Sequence, residues 1–320
     1  MRVLITGGFG YVGGRLAQFL ASQAGYEIVL GSRQQTEPPP WLPQAKVVQT
    51  RYGSPTGLEY ICTGVDTVVH LARMNAQDCA ADPIAALEFN AVATARLLQV
   101  AIRQGAKRFI YLSTAHVYGS PLTGVITENT CPVSLHPYAT SHRAGEDVVR
   151  AAHQRGEIVG IVIRLSNSYG APAHKDANCW MLLVNDLCRQ AVTTQGMVLR
   201  SSGLQRRNFI PLPDACRAIG HLLRLPARDL AGNIFNVGGE WSPTVWELAC
   251  LVQERCAVAL GFRPTLTNIP PQIDEMSAEL DYRFDVLRQS GFQPGSDRTG
   301  EIDRLIEFCR VAFVQTPRHE

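Results

Sequence analysis

RVLITGGFGYVG (2–13) is the stretch that decides the fold. RVLIT is a short apolar run of the buried-strand kind, and glycines follow it at once. RLAQFLASQ (15–23) then places Leu16, Phe19 and Leu20 on one helical face. Strand, glycine turn and helix in this order make a phosphate-binding unit. Gly7 permits the tight turn, Gly10 lets the backbone approach a pyrophosphate, and Gly13 lets helix and strand pack closely. The anion then rests on the helix N-terminus. Phe9, Tyr11 and Val12 fill the loop between these glycines and are expected to line the dinucleotide. A glycine pattern alone is weak evidence, but directly after a strand and opening a helix it is strong.

Outward from that unit the same rhythm repeats. YEIVLG (26–31), AKVVQ (45–49), DTVVHLA (66–72), KRFIYLS (107–113) and VGIVIRL (159–165) read as buried strands. Helical stretches separate them, notably 82–105 and 140–156. Strands apolar on both faces, alternating with helices, predict an α/β fold: a Rossmann-type, doubly wound parallel sheet covered by helices. EPPPWLP (37–43) reads as a stiff loop. After about residue 170 the rhythm changes. CWMLLVNDLCRQAV (179–192) reads as an amphipathic helix, MVLRS (197–201) and NFIPL (208–212) as short strands, and NIFNVG (233–238) as a return to the buried-strand pattern, by which the chain re-enters the first domain. Ser242, followed by proline, reads as the N-cap of a helix over 242–256. The division expected is a dinucleotide-binding domain over 1–170, re-entered by about 208–240. A smaller C-terminal substrate-binding lobe takes 171–207 and 241–320.

The composition is ordinary for a globular chain, 46% hydrophobic and 18% charged over 320 residues. A net charge of +2, with no basic tail, points away from nucleic acid. The nine cysteines are scattered, without CxxC or a Cys/His cluster, so free thiols are expected and no metal. A strand beginning at Arg2 leaves no room for a signal peptide. No apolar run approaches membrane-spanning length. The reading is a soluble, cytoplasmic protein without nucleic-acid or membrane partners.

The end of the second strand bears on the choice of dinucleotide. An NAD site usually places Asp or Glu there to bond the adenosine ribose. Here the sequence is Gly31-Ser32-Arg33, with no carboxylate, and the arginine suits a 2′-phosphate. NADP(H) is therefore preferred, with NAD(H) possible.

Taken together, the motifs resemble those of the extended short-chain dehydrogenase/reductases, in particular the UDP-glucose 4-epimerase-like branch of nucleotide-sugar epimerases and dehydratases. TGGFGYVG (6–13) looks like that family's TGxxGxxG loop. DTVVHLA resembles its fourth strand, whose end, Leu71-Ala72, lines the cofactor. Asn90 in FNAVAT matches an asparagine that steadies the central strands beside the cofactor. YLSTAHVYG (111–119) resembles SSxxVYG, and PYATSH (137–142) resembles PYxxSK. RLSNSYGAP (164–172), LQRRNFIPLPD (204–214) and NIFNVGG (233–239) are similar to LRxxNxYGP, QxRDFxxVxD and xxxNVGxG.

The resemblance implies a site. Tyr138 is the general acid/base for a sugar hydroxyl, and Thr114 hydrogen-bonds the same hydroxyl. His142 stands where the family has lysine, which binds the nicotinamide ribose and favours the phenolate by its charge. Residues four apart share a helix face, so Tyr138 and His142 meet, but imidazole is often uncharged at neutral pH. Ala115-His116 replaces the Asp-Glu pair that the related dehydratases use to expel water, which disfavours 4,6-dehydration. His116, Asn167, Arg207 and Arg283 are the substrate-side candidates, the arginines for a diphosphate. The partner expected is a nucleotide sugar or related small molecule. Three activities fit: an NAD(P)-dependent nucleotide-sugar epimerase, an NADPH-dependent keto-sugar or other carbonyl reductase, and a weakly catalytic NADP-binding module. Helices 82–105 and 141–155 correspond to those with which the family builds a four-helix interface, so a homodimer is expected.

Overall fold

A computed structural model describes residues 1–314. The first half runs β1 (Arg2–Thr6), α1 (Tyr11–Ala21), β2 (Glu27–Ser32), β3 (Lys46–Gln49), α2 (Pro55–Cys62) and β4 (Thr67–His70). Then come α3 (Ala76–Ala81), α4 (Pro83–Leu87), a π turn over Glu88–Val92 and α5 (Ala93–Arg103). β5 (Arg108–Thr114), β6 (Gly124–Ile126), α6 (Pro137–Gln154), β7 (Val159–Leu165) and β8 (Asn167–Tyr169) follow. The remainder holds α7 (Leu183–Thr194), β9 (Gly196–Val198), β10 (Phe209–Pro211), α8 (Leu212–Arg224) and β11 (Ile234–Val237). It continues through α9 (Val245–Leu260), β12 (Thr265–Thr267), β13 (Leu280–Tyr282), α10 (Asp285–Gln289) and α11 (Arg298–Phe313).

Seven parallel strands form the main sheet in the order β11-β7-β5-β4-β1-β2-β3. The order reverses between β1 and β4, and an open α/β sheet holds its ligand in the crevice at such a reversal. The strands are uninterrupted apolar runs because helices cover both faces. α1 and α8 bury Leu16, Leu20, Ile219 and Leu222 on one side, and α2, α5 and α6 bury Leu58, Leu97, Leu98 and Val149 on the other. A separate core of Leu187, Leu248, Val252, Leu305 and Ile306 joins α7, α9 and α11.

The structure refines several sequence readings. The short strand read at 208–212 is β10, which pairs with β8 in a two-stranded sheet, while β11 returns beside β7. The expected helix 82–105 runs without interruption from Pro83 to Arg103, capped by Asp82, and a π turn over Glu88–Val92 carries Asn90 within it. The N-cap of α9 is Thr244 rather than Ser242. Thr244 and Glu247 form a reciprocal capping box, while the Ser242 hydroxyl accepts from Asn208 Nδ2 at 3.2 Å. The span 83–103 is apolar and long enough by composition to cross a membrane, and half of its most apolar window is buried inside the fold.

Candidate active site

The glycine loop has the geometry its sequence requires. Gly7 has φ +68°, and a Cβ there would stand 2.9 Å from Ala72 N at the end of β4. A Cβ on Gly13 would stand 2.2 Å from Gly7 O. α1 begins at Gly10 without a side-chain cap and without an acidic residue in its first turn, which leaves its amides for an anion. Leu71 N donates to Thr6 O at 3.2 Å, so Leu71 and Ala72 lie against the loop. Tyr11 donates to Gly170 O at 3.1 Å, and His174 Nε2 lies 2.8 Å from Phe9 O. Trp41 stacks on His174 with centroids 5.8 Å apart, so segment 170–174 and the stiff loop after β2 flank the glycine turn together. Val12 is buried, Ser32 half-buried and Arg33 exposed at the end of β2.

Thr114 ends β5, and its Oγ1 accepts from His116 N at 3.2 Å. Tyr138 lies in the first turn of α6, half-buried, where Pro137 preforms the helix. The cap of that helix is His136, whose Nδ1 accepts from Tyr138 N at 3.1 Å. Tyr138 and His142 meet edge to face, with centroids 4.6 Å apart.

His142 is no surface residue; it is fully buried. Its Nδ1 lies 3.0 Å from Tyr111 Oη, and its Nε2 is buried without a partner. Tyr111 Oη also reaches Asn90 O at 3.3 Å. Either tautomer of His142 therefore leaves Nε2 as the free group: a donor when Tyr111 turns its proton to Nδ1, an acceptor when it turns to Asn90. Burial above all, then the charges of Arg73 and His70, holds the imidazole well below the usual histidine range, so it is neutral. His70 is likewise buried and pushed down to about 3, bonded on both nitrogens by Thr6 at 2.6 Å and Thr94 at 3.0 Å.

Asn90 clamps the loop after β4 to the tyrosine helix. Its Oδ1 accepts from Met74 N at 3.0 Å, and its Nδ2 donates to Ser141 Oγ at 3.0 Å. The π turn aims that side chain inward. Two turns after Tyr138, on the same face, Glu146 accepts from Ser113 and pairs with Arg164 of β7 at 2.6 Å, all three fully or nearly buried. This pair fixes α6 against β5 and β7, beside Thr114.

On the substrate side, burial first, then the positive charges of Arg207, His136 and Arg73, lowers the His116 imidazole below its ordinary value. His116, Arg207, His136 and Arg73 thus belong to one neighbourhood with Thr114. Arg207 is largely enclosed; with the Gln205 amide turned so that its oxygen faces the guanidinium, that oxygen accepts from Nη2 at 2.8 Å. Asn167 spends its Nδ2 on Asn208 O, 3.0 Å away, and so clips β8 to β10. Arg283 stands apart from the others. It pairs with Asp281 at 2.7 Å, about half exposed, in a cavity of about 480 Å³ that Asn208, Ser242, Glu240 and Arg288 also line.

Sequence reasoning missed Arg73, Tyr111, His136 and the Glu146–Arg164 pair. The spacing 138, 142, 146 was a legible sign for Glu146, since these positions share a helix face. Nothing local marked Arg73. The unpartnered Nε2 of His142, the uncapped α1 amides and the close backbone packing that Gly7 and Gly13 allow at the turn all fit a dinucleotide lying from the glycine loop to α6.

Comparison with known proteins agrees with this geometry. The model of the NAD dependent epimerase/dehydratase family matches residues 3–238. A dTDP-glucose 4,6-dehydratase of Streptomyces niveus is 26% identical over 96% of this chain and 91% of its own. UDP-glucuronic acid decarboxylase 6 of Arabidopsis thaliana is 28% identical over 79% of this chain and 74% of its own. Among solved structures, MoeE5 in complex with UDP-glucose and NAD superposes with a TM-score of 0.78 at 25% identity, covering 98% of this chain and 100% of that one. A strand-turn-helix built for a pyrophosphate, with tyrosine and threonine at the ends of neighbouring elements, thus sits on a shared frame: this chain is an enzyme of the NAD-dependent epimerase/dehydratase family, of the extended short-chain dehydrogenase/reductase type.

Proposed function

We propose that this enzyme is a nucleotide-sugar epimerase in which Tyr138 is the acid/base. The observation that carries the reading is the chemistry after Thr114: Ala115 is buried and His116 is held towards its neutral form, so no carboxylate stands there to expel water. Tyr138 takes the proton of a sugar hydroxyl and later returns it. Thr114 accepts or donates at the same oxygen and orients it. When bound, the dinucleotide supplies the hydride acceptor and donor. His142 meets the ribose through Nε2 as a neutral hydrogen-bonding group, so Tyr138 works without the fixed charge that lysine would supply at 142. Arg207 holds the diphosphate, with Asn167 and His116 nearer the sugar. The test is incubation with a panel of nucleotide sugars and chromatographic separation of epimers. An epimer formed by the parent and absent with Tyr138→Phe supports the reading; no conversion of any panel member sinks it.

Arg33 favours a second reading, an NADPH-consuming carbonyl reductase. It stands exposed at the end of β2, with no acid beside it to hold ribose hydroxyls. Oxidation of NADPH by a keto-sugar, without retained cofactor, is its signature. On either reading NADP(H) is the proposed dinucleotide, and Arg33→Ala is expected to weaken NADP(H) far more than NAD(H); equal losses would exclude a 2′-phosphate contact. A homodimer is proposed through Ile84, Leu87 and Val92, apolar and exposed on the α4–α5 span, beside Ala144, Val148 and Ala151 of α6. Ile84→Glu with Leu87→Glu should convert a dimeric light-scattering mass to a monomeric one.

A further inference from the structure

The loop after β4 carries an arginine whose backbone is fixed on both sides. Ala72 N lies against the glycine loop, 3.4 Å from Thr6 Oγ1. Met74 N donates to Asn90 Oδ1, and Asn90 in turn holds Ser141, between Tyr138 and His142. Arg73 therefore stands at the lip between the cofactor loop and the tyrosine helix. Its side chain is exposed, and among the described residues no carboxylate lies within ion-pairing distance. Its charge reaches Tyr111 on β5 and His142 on α6, both buried beneath Tyr138, and His116 beyond Thr114. The residues at the reacting end of the cleft are Thr114, Ala115, His116, His136 and Tyr138, with no acid among them.

We infer that Arg73 recognises a carboxylate on the sugar, so that the substrate is a nucleoside-diphosphate sugar acid rather than a neutral nucleotide sugar; this rests on the nucleotide-sugar reading above. Arg207, in the segment after β9, is the cation for the diphosphate. That leaves Arg73 for a second anionic group close to Tyr138. A planar guanidinium matches a carboxylate with two parallel hydrogen bonds, which lysine does not reproduce.

The test is calorimetric binding of UDP, UDP-glucose and UDP-glucuronic acid to the full chain, as parent, Arg73→Gln and Arg73→Lys. The parent should bind the acid sugar more tightly than UDP-glucose. Arg73→Gln should weaken the acid sugar by about tenfold or more, and UDP and UDP-glucose by less than about twofold, as expected for loss of a charge-assisted hydrogen bond at one end of the ligand. Arg73→Lys should recover only part of that loss. Equal weakening of all three ligands would make Arg73 a phosphate contact and overturn the inference, as would no weakening of any. If the parent binds none of the three, UDP included, the nucleotide-sugar reading itself falls; if it binds UDP-glucose as tightly as the acid sugar, only the carboxylate falls.

Discussion

Acid should unfold this enzyme partly through two buried histidines, and His142→Asn isolates the share of one. The unfolded chain takes up each imidazole proton near pH 6.5. The folded chain does not: burial pushes His70 down to about 3 and holds His142 well below its ordinary value. Between those limits the unfolded state binds more protons, so stability is complete above about 6.5 and is lost as pH falls below it. From pH 7.5 to 4.5 the gap that counts for His70 is about two units, or about 3 kcal/mol at 1.36 kcal/mol per unit, and the loss at His142 has the same sign. Both groups are fully buried, so solvent screening takes little of this away. Asparagine at 142 keeps a hydrogen-bonding group near Tyr111 and does not titrate. Urea unfolding of parent and variant should therefore show the parent losing more stability than the variant between pH 7.5 and 4.5. His116 and His221, both lowered chiefly by burial, remain in the two proteins and cancel in the difference. Parallel pH dependences would refute the claim that His142 is buried and neutral.

Three further outcomes are expected. His142→Lys puts a permanent charge one turn from Tyr138 and should raise turnover at about pH 8 to 9, at some cost in stability; a variant no faster than the parent across pH 7 to 9 would remove charge at 142 from the account. Gly13→Ala drives a methyl group into Gly7 O and should weaken dinucleotide binding by more than about tenfold, read by titration calorimetry. Glu146→Ala strands Arg164 in the core and should cost about 3–5 kcal/mol in denaturant unfolding, whereas a change under about 1 kcal/mol would mean the pair does not hold α6 in place.

The substitution of histidine for lysine shows where sequence reasoning reached its limit. The spacing from Tyr138 to His142 put both on one helix face, and the structure brings their rings together. The protonation state was another matter. An imidazole on a helix surface and one sealed beneath Tyr111 and Asn90 have the same sequence, and only the packing of α6 against β5 separates them. Arg283 shows the converse. Its place in the family pattern suggested a phosphate contact, and the structure adds what the pattern did not show: β13 pairs with β6, and Arg283 is ion-paired with Asp281.

By itself the sequence determined the sheet, the glycine turn and the order of the motifs. These depend on apolar runs, on backbone freedom at Gly7 and on spacing along single elements, all of which are local. The tertiary structure decided which charges survive and what they face. His142 lost its proton to burial, Glu146 and Arg164 found one another across a helix and a strand, and Arg73 came to the lip of the cleft because Asn90, sixteen residues after Met74, holds the loop there. Desolvation and long-range contact set those outcomes, and neither is written in the spacing of residues along a chain.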